Sequence, residues 1–310
     1  MIYDLIIIGG GPAGVAAGVY AARKKLRTLF LTTDFGGQSS VSAEIQNWIG
    51  TRAIPGEELA RQLREHLFTY ESPDFVIKEG EKVTKITQKE KDFIVSNETG
   101  DNFEARAVLI TTGAMRRKLE VPGAKEFEQK GITYCATCDG PLFADQDVVV
   151  IGGGNAAFET AAQLLAYCRS VTLIHRGDTF RADEITVERV RRNPKMKIIT
   201  NAELKEFRGD KMLTSLVYQD TKTNEEKKME TGGVFVEIGL VPTTWFAKDL
   251  VKLNQNNSIV VDPRTQASSI PGVWAAGDCT DALYHQNNIA AGDAIKALEN
   301  IYQYLHARND

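Results

Sequence analysis

Twice in this chain an apolar stretch runs into a glycine-rich turn that opens an alanine-rich helix. Tyr3 to Ile8 leads into Gly9-Gly10-Gly11-Pro12-Ala13-Gly14 and a helix over Ala13 to Lys24; Val148 to Ile151 leads into Gly152-Gly153-Gly154-Asn155-Ala156-Ala157 and a helix over Ala156 to Ala166. Each helix is followed by another apolar strand, Arg27 to Leu31 and Val171 to Ile174. Two such β-α-β units commit the chain to parallel sheets covered by helices. The glycine spacing has a mechanism. Gly9 permits the tight turn, Gly11 lets a diphosphate approach the backbone, and Gly14 lets helix and strand pack closely. Ala157 stands where the third glycine would be, which the motif tolerates. Each turn offers a helix N-terminus to a dinucleotide.

The repetition extends beyond the turns. Segments Lys82 to Thr87, Asp92 to Ser96 and Phe103 to Ala105 read as an antiparallel meander that ends in the strand Ala107 to Ala114. In the second half, Lys197 to Thr200, Leu204 to Phe207, Leu213 to Gln219 and Lys227 to Glu230 precede the strand Val234 to Gly239. The spacing predicts an α/β fold of two Rossmann-like, three-layer nucleotide-binding domains. The tail from Trp245 carries no third turn, and its helix near Ala290 to Leu305 is better used to complete the first half. That predicts a discontinuous first domain, 1–116 with 245–310, and an inserted second domain, 117–244. A chain of 310 residues accommodates both. A net charge of −4 gives no reason to expect nucleic acid. No apolar run reaches the ~20 residues of a membrane span, and the first strand stops too early for a secretory signal. A cytoplasmic location is the default expectation.

Between the two turns lies Cys135-Ala136-Thr137-Cys138, followed by Asp139. A zinc site wants four ligands, and no second CxxC or HxxxH appears. A buried, inert pair stays possible, but the spacing also suits a redox dithiol, with Asp139 able to move the proton that exchange requires. The other cysteines, Cys168 and Cys279, stand in apolar or small-residue surroundings and read as buried packing residues. The acid that usually ends the second strand and meets an adenosine ribose is missing from both halves. The first half has Leu31-Thr32-Thr33, with Asp34 past the expected strand end. The second has Ile174-His175-Arg176, with Arg181 further on; guanidinium groups there suit a 2′-phosphate.

The run Tyr134 to Gly140, with Gly36-Gly37-Gln38, Glu44, Asn47-Trp48, Thr112-Gly113-Ala114 and Ala275-Ala276-Gly277-Asp278, resembles the low-molecular-weight thioredoxin reductases over nearly the whole chain. The resemblance implies FAD in the first domain, on Gly9, Gly11, Pro12, Ala13, Gly14, Gly37, Gln38, Asn47, Thr112, Gly113 and Gly277, with Asp278 near the ribitol and Gln286 near the isoalloxazine. It implies NADPH on Gly152, Gly154, Asn155, Ala156, Glu159, His175, Arg176 and Arg181. Cys138 would take electrons from the flavin, Cys135 would attack the disulfide of a thioredoxin-like protein, and Asp139 would serve as acid and base. A homodimer, and domains that rotate about linkers near Arg117 and Thr243, are also implied.

The departures are specific. The family's phosphate motif reads His-Arg-Arg, then Arg after three residues; here Gly177 replaces one arginine. Losing one charge-assisted contact costs about 1.5–3 kcal/mol, which would erode a preference for NADPH over NADH. His285 stands where the family has arginine, and Ala294 replaces a glycine. Gly140-Pro141-Leu142-Phe143 is similar to the flavoprotein component of alkyl hydroperoxide reductases. Those proteins carry a thioredoxin-like domain in front, whereas this sequence starts at its first nucleotide-binding strand. Alternatives are therefore NADH or ferredoxin as donor, a peroxiredoxin-system carrier as acceptor, or a redox sensor that does not turn over.

Overall fold

A computed structural model describes residues 2–42, 45, 47–134 and 136–308, with Val41, Thr137 and Cys138 as backbone only. The chain divides into two compact units, 1–115 with 241–310, and 116–240.

In the first unit, Ile2–Gly10 pairs in parallel with Thr28–Phe35 on one side and Asn102–Ile110 on the other. Its side chains alternate between two cores. Leu5 and Ile7 join Val15, Phe30, Leu298 and Ile301 under the helices, while Ile6 and Ile8 join Val83, Phe93, Phe246 and Ile259 on the opposite face. Burial on both faces is why the strand reads as an unbroken apolar run. The helices are Pro12–Arg23, with proline in its first turn, and Asn287–Ala307, whose Ala294, Leu298, Ile301 and Leu305 recur at helical spacing and are buried. The third strand out is Phe75–Glu79, and Val273–Ala275 from the tail completes the parallel array beside Asn102–Ile110.

The second unit repeats the scheme. Asp147–Gly152 lies between Ser170–Ile174 and Gly233–Glu237, all parallel, with Met196–Ile199 and Ile132–Thr133 outermost. Val148 and Val150 face Phe158, Leu164 and Val187 of the helices Asn155–Leu164 and Glu184–Arg191. Val149 and Ile151 face Phe207, Leu216 and Tyr218 of a separate three-stranded antiparallel sheet, Ala202–Gly209, Leu213–Asp220 and Glu226–Glu230.

Three expectations need correction. Phe103 to Ala105 and Ala107 onward are one strand, Asn102–Ile110, whose first half pairs antiparallel with Asp92–Asn97 and whose length pairs parallel with Ile2–Gly10. Met196–Ile199 is not a meander strand but the parallel edge of the second sheet. The strand Thr28–Phe35 continues past Leu31, so Asp34 lies inside it. A bulge opposite Gly9 lets Gly10 pair with Phe35 and carries the strand on.

Candidate nucleotide crevices

Both glycine turns follow the central strand of their sheet and open a helix, so each helix N-terminus points across the carboxyl ends of the strands. The first turn is the tighter. Gly9 has φ +116°, and a Cβ there would lie 2.4 Å from the Thr111 carbonyl oxygen. A Cβ on Gly14 would lie 1.7 Å from the Gly9 carbonyl oxygen, while a Cβ on Gly11 would meet nothing within 4 Å. Two glycines close the turn, and the one between them faces open space.

That space is a cleft of about 480 Å³ in the first unit. Its lining includes Gly9, Gly11, Pro12, Ala13, Gly37, Gln38, Thr112, Gly113, Gly277 and Asp278. Gly14 is absent from the lining because it packs the helix against the turn. Asn47 and Gln286 are also outside it; Asn47 Nδ2 donates to Gln286 Oε1 at 2.9 Å. Thr111 Oγ1 donates to the Ile8 carbonyl at 2.8 Å, and Thr112 Oγ1 to the Thr243 carbonyl at 2.6 Å, fixing the segment that faces the turn. Burial pushes the Asp278 carboxyl above the ordinary carboxylate range, against the pull of His285. Next to it, the buried Cys279 thiol is pushed up to about 11 by burial, and Cys168 is likewise buried, as packing residues are. The cleft also takes in Thr32, Thr33, Asp34, Glu81, Lys82, Trp245 and Asn287. Thr32 to Asp34 sit at a strand's carboxyl end, where a ligand is expected. Glu81, Lys82, Trp245 and Asn287 carry no motif and come together only in the fold. An extended diphosphate-linked ligand fits this arrangement: an open approach at Gly11, a helix N-terminus, and side chains from the ends of four strands, Ile2–Gly10, Thr28–Phe35, Asn102–Ile110 and Val273–Ala275.

The second turn repeats the geometry with more slack. Gly152 has φ +154° and a Cβ there would lie 2.2 Å from the Glu237 carbonyl oxygen; Gly154 again faces open space. The loop after Ser170–Ile174 folds back onto this turn. His175 leaves no room for a Cβ on Gly153, stacks on Phe180 at 5.3 Å, and has its Nε2 2.9 Å from the Thr179 carbonyl oxygen. The Arg181 N–H donates to the Gly153 carbonyl at 2.8 Å, and Asn155 Oδ1 accepts from the Asp183 N–H at 2.8 Å. Arg176 and Arg181 are exposed at this end, and Ala156 and Glu159 are exposed on the helix.

Cys135 lies outside the described residues. The backbone of Cys138 belongs to the short helix Ala136–Asp139 in the second unit, and Thr133 Oγ1 donates a hydrogen bond to Asp139 Oδ2.

Two nucleotide crevices in one chain define a flavin- and pyridine-nucleotide-dependent class. Residues 3–299 match the pyridine nucleotide-disulphide oxidoreductases, and the chain belongs to that family. Family membership implies FAD and a pyridine nucleotide, and the chain is an oxidoreductase of the flavoprotein, thioredoxin reductase-like type. It is 42% identical over 306 residues to a thioredoxin reductase of Mycolicibacterium smegmatis, covering 98% of this chain and 97% of the relative. It is 39% identical over 303 residues to a NADH dehydrogenase of Bacillus subtilis, covering 98% of this chain but only 58% of that protein's length. A solved thioredoxin reductase of Lactococcus lactis superposes with a TM-score of 0.85 at 36% identity, covering 98% of this chain and 99% of the other. Among the described residues, no helix is long and apolar enough to cross a membrane.

Proposed function

We propose that the chain is an NADPH-dependent reductase of a protein disulfide, carrying electrons through FAD to the Cys135–Cys138 pair and on to a thioredoxin-like protein. The observation that supports it is the presence of two distinct glycine-turn crevices, with the Ala136–Asp139 helix in the same unit as the second. When bound, FAD supplies the two-electron link between a nicotinamide and a disulfide. The chain's own residues do the rest. In the first unit, the turn at Gly9 to Gly14 and the main chain around Thr112 and Gly113 hold the flavin nucleotide. In the second, Gly152 to Asn155 hold the coenzyme diphosphate, and Arg176 and Arg181 receive the 2′-phosphate. Asp139, steadied by Thr133, holds the proton that thiol–disulfide exchange must move. A homodimer belongs to the same reading.

Gly177 favours a second reading, with NADH as donor and a peroxiredoxin-system carrier as acceptor, and the Bacillus relative's name agrees with it. One experiment separates the two. Flavin absorbance is followed under anaerobic stopped flow with NADPH and NADH in parallel, then turnover is measured with a panel of oxidised carrier proteins. Fast bleaching by NADPH and turnover with thioredoxin support the first reading; bleaching by NADH alone supports the second. Protein that stays colourless after flavin addition defeats both. Cys138→Ser is expected to keep the flavin and lose disulfide turnover.

A further inference from the structure

The second unit holds a half-enclosed carboxyl that the roles above leave unused. Glu237 ends the strand Gly233–Glu237 and pairs with Gly152, the first residue of the second glycine turn. Its side chain is only 13% exposed. Both hydrogen bonds it accepts fall on one oxygen: Thr160 Oγ1 donates to Oε1 at 2.8 Å, and Arg116 Nη1 donates to the same atom at 3.4 Å. Among the described residues, Oε2 has no partner. Thr160 sits on the helix that the glycine turn opens, so the carboxyl is tied to the crevice from two directions. Burial raises this carboxyl's pKa; Arg116 and Thr160 oppose that, and Glu159 adds to it. Enclosing a carboxyl and leaving one oxygen unpaired is unfavourable unless a donor arrives from outside the protein.

The sheet order says which donor. From one edge, the strands run Met196–Ile199, Ser170–Ile174, Asp147–Gly152, Gly233–Glu237, Ile132–Thr133. The order reverses between Asp147–Gly152 and Gly233–Glu237, and a dinucleotide lies across that point with its diphosphate on the glycine turn. Its adenosine ribose belongs at the end of Ser170–Ile174, where His175 to Arg181 stand. The other half then extends over Gly233–Glu237, and Glu237 is the acid at the end of that strand. An acid that accepts from a ribose diol is the usual device at the adenosine side. This chain lacks it there and has one on the far side.

Resting on the reading of this unit as the coenzyme unit, we propose that Glu237, oriented by Thr160 and Arg116, binds the nicotinamide-side ribose, with Oε2 accepting from its hydroxyls. Recognition is then split, the arginine loop reading one end of the coenzyme and Glu237 the other. The test is isothermal titration of the flavin-loaded protein with NADP⁺, NAD⁺ and the fragment adenosine 2′,5′-bisphosphate, none of which can reduce the flavin. Glu237→Gln keeps the volume and places an N–H donor where the acceptor stood. It is expected to weaken the dinucleotides roughly 10-fold, the loss of one hydrogen bond to a charged group, and to leave the fragment within about twofold. Thr160→Val, which removes only the orienting bond, is expected to give the same pattern at smaller size. Equal weakening of dinucleotides and fragment overturns the proposal in favour of a purely structural role, and unchanged dinucleotide binding overturns it outright. If the unaltered protein binds neither dinucleotide nor fragment, the coenzyme reading itself has failed.

Discussion

The two glycine turns share a backbone path and differ in tolerance. At the first, Gly14 lies so near the Gly9 carbonyl that a methyl group would stand 1.7 Å from its oxygen. At the second, the matching residue is Ala157, fully buried, and the helix accommodates its methyl. The surroundings diverge too. The first crevice is flanked by Asp34, Glu81 and Lys82, while the second is closed by a loop bearing His175, Arg176 and Arg181. One fold thus supports a rigid, mixed-charge cleft and a looser crevice with a basic end. The difference fits a tightly held flavin in one half and an exchanging coenzyme in the other.

The sharpest way to break that comparison is to exchange the third residues of the turns. Gly14→Ala must push the helix off its strand, and overpacking of this kind costs about 3 kcal/mol or more when no side chain is free to move. It is expected to lower the flavin content of the purified protein severely. Ala157→Gly loses one buried methyl and some helix propensity, about 1–2 kcal/mol together. Flavin absorbance and urea unfolding of the two variants measure both effects. Comparable losses would mean that the turns are equally constrained.

The basic end of the second crevice gives the next largest effect. Arg181 is anchored through its own N–H to Gly153, so its side chain emerges at a fixed point beside the turn. Arg181→Ala is expected to weaken NADPH by about 10- to 150-fold through loss of a charge-assisted phosphate contact, with little change for NADH. The reverse substitution, Gly177→Arg, should raise selectivity for NADPH, but less than the Arg181 change lowers it. A Cβ at 177 would lie 2.9 Å from His175 Nε2, so the ring must turn away from the Thr179 carbonyl to admit it. The ratio of kcat/KM for the two coenzymes reports both. An unchanged ratio in Arg181→Ala would remove this loop from phosphate recognition.

The turns, the strands that lead into them and the duplicated order were legible in the sequence because each depends on local chemistry: glycines at fixed spacing and apolar runs buried on both faces. Asn102–Ile110 was read as two pieces because its pattern changes along its length. Its first part pairs in the meander, with Phe103 and Glu104 half-buried, whereas Ala107 to Ile110 are buried on both faces. Met196–Ile199 was misplaced because a parallel edge strand, only partly covered, alternates as a meander strand does. The helix Gly56–Phe68 was missed although Leu59, Leu63 and Leu67 recur every four residues behind Glu57 and Glu58. The site was legible to the extent that it rests on main chain. Glu81, Trp245 and the set of Arg116, Thr160 and Glu237 come from distant parts of the chain, and no local pattern announces them.

The opposite ends of the two central strands supply the smallest and most direct test of how alike the halves are. Asp4 accepts a hydrogen bond from the Arg27 N–H at 3.0 Å at the start of the first strand. Asp147 holds the equivalent place and accepts from Ser170 Oγ at 2.6 Å and from the Arg169 guanidinium through Nε at 3.0 Å. The bonds from Arg169 and then Ser170 hold the Asp147 carboxyl at about 2, below its unfolded value of 3.8. A depressed carboxylate stabilises the fold above its unfolded pKa and stops doing so as the pH falls through its folded pKa, so the window lies between roughly pH 4 and pH 2. Asp147 and Arg169 are 43% and 67% exposed, and solvent screening holds the contribution below about 1 kcal/mol. Asp147→Asn is therefore expected to cost a fraction of a kcal/mol at pH 6 and about half as much at pH 3, read by urea unfolding. A cost that does not change with pH would mean that Asn satisfies the same donors and that charge contributes nothing at this strand end.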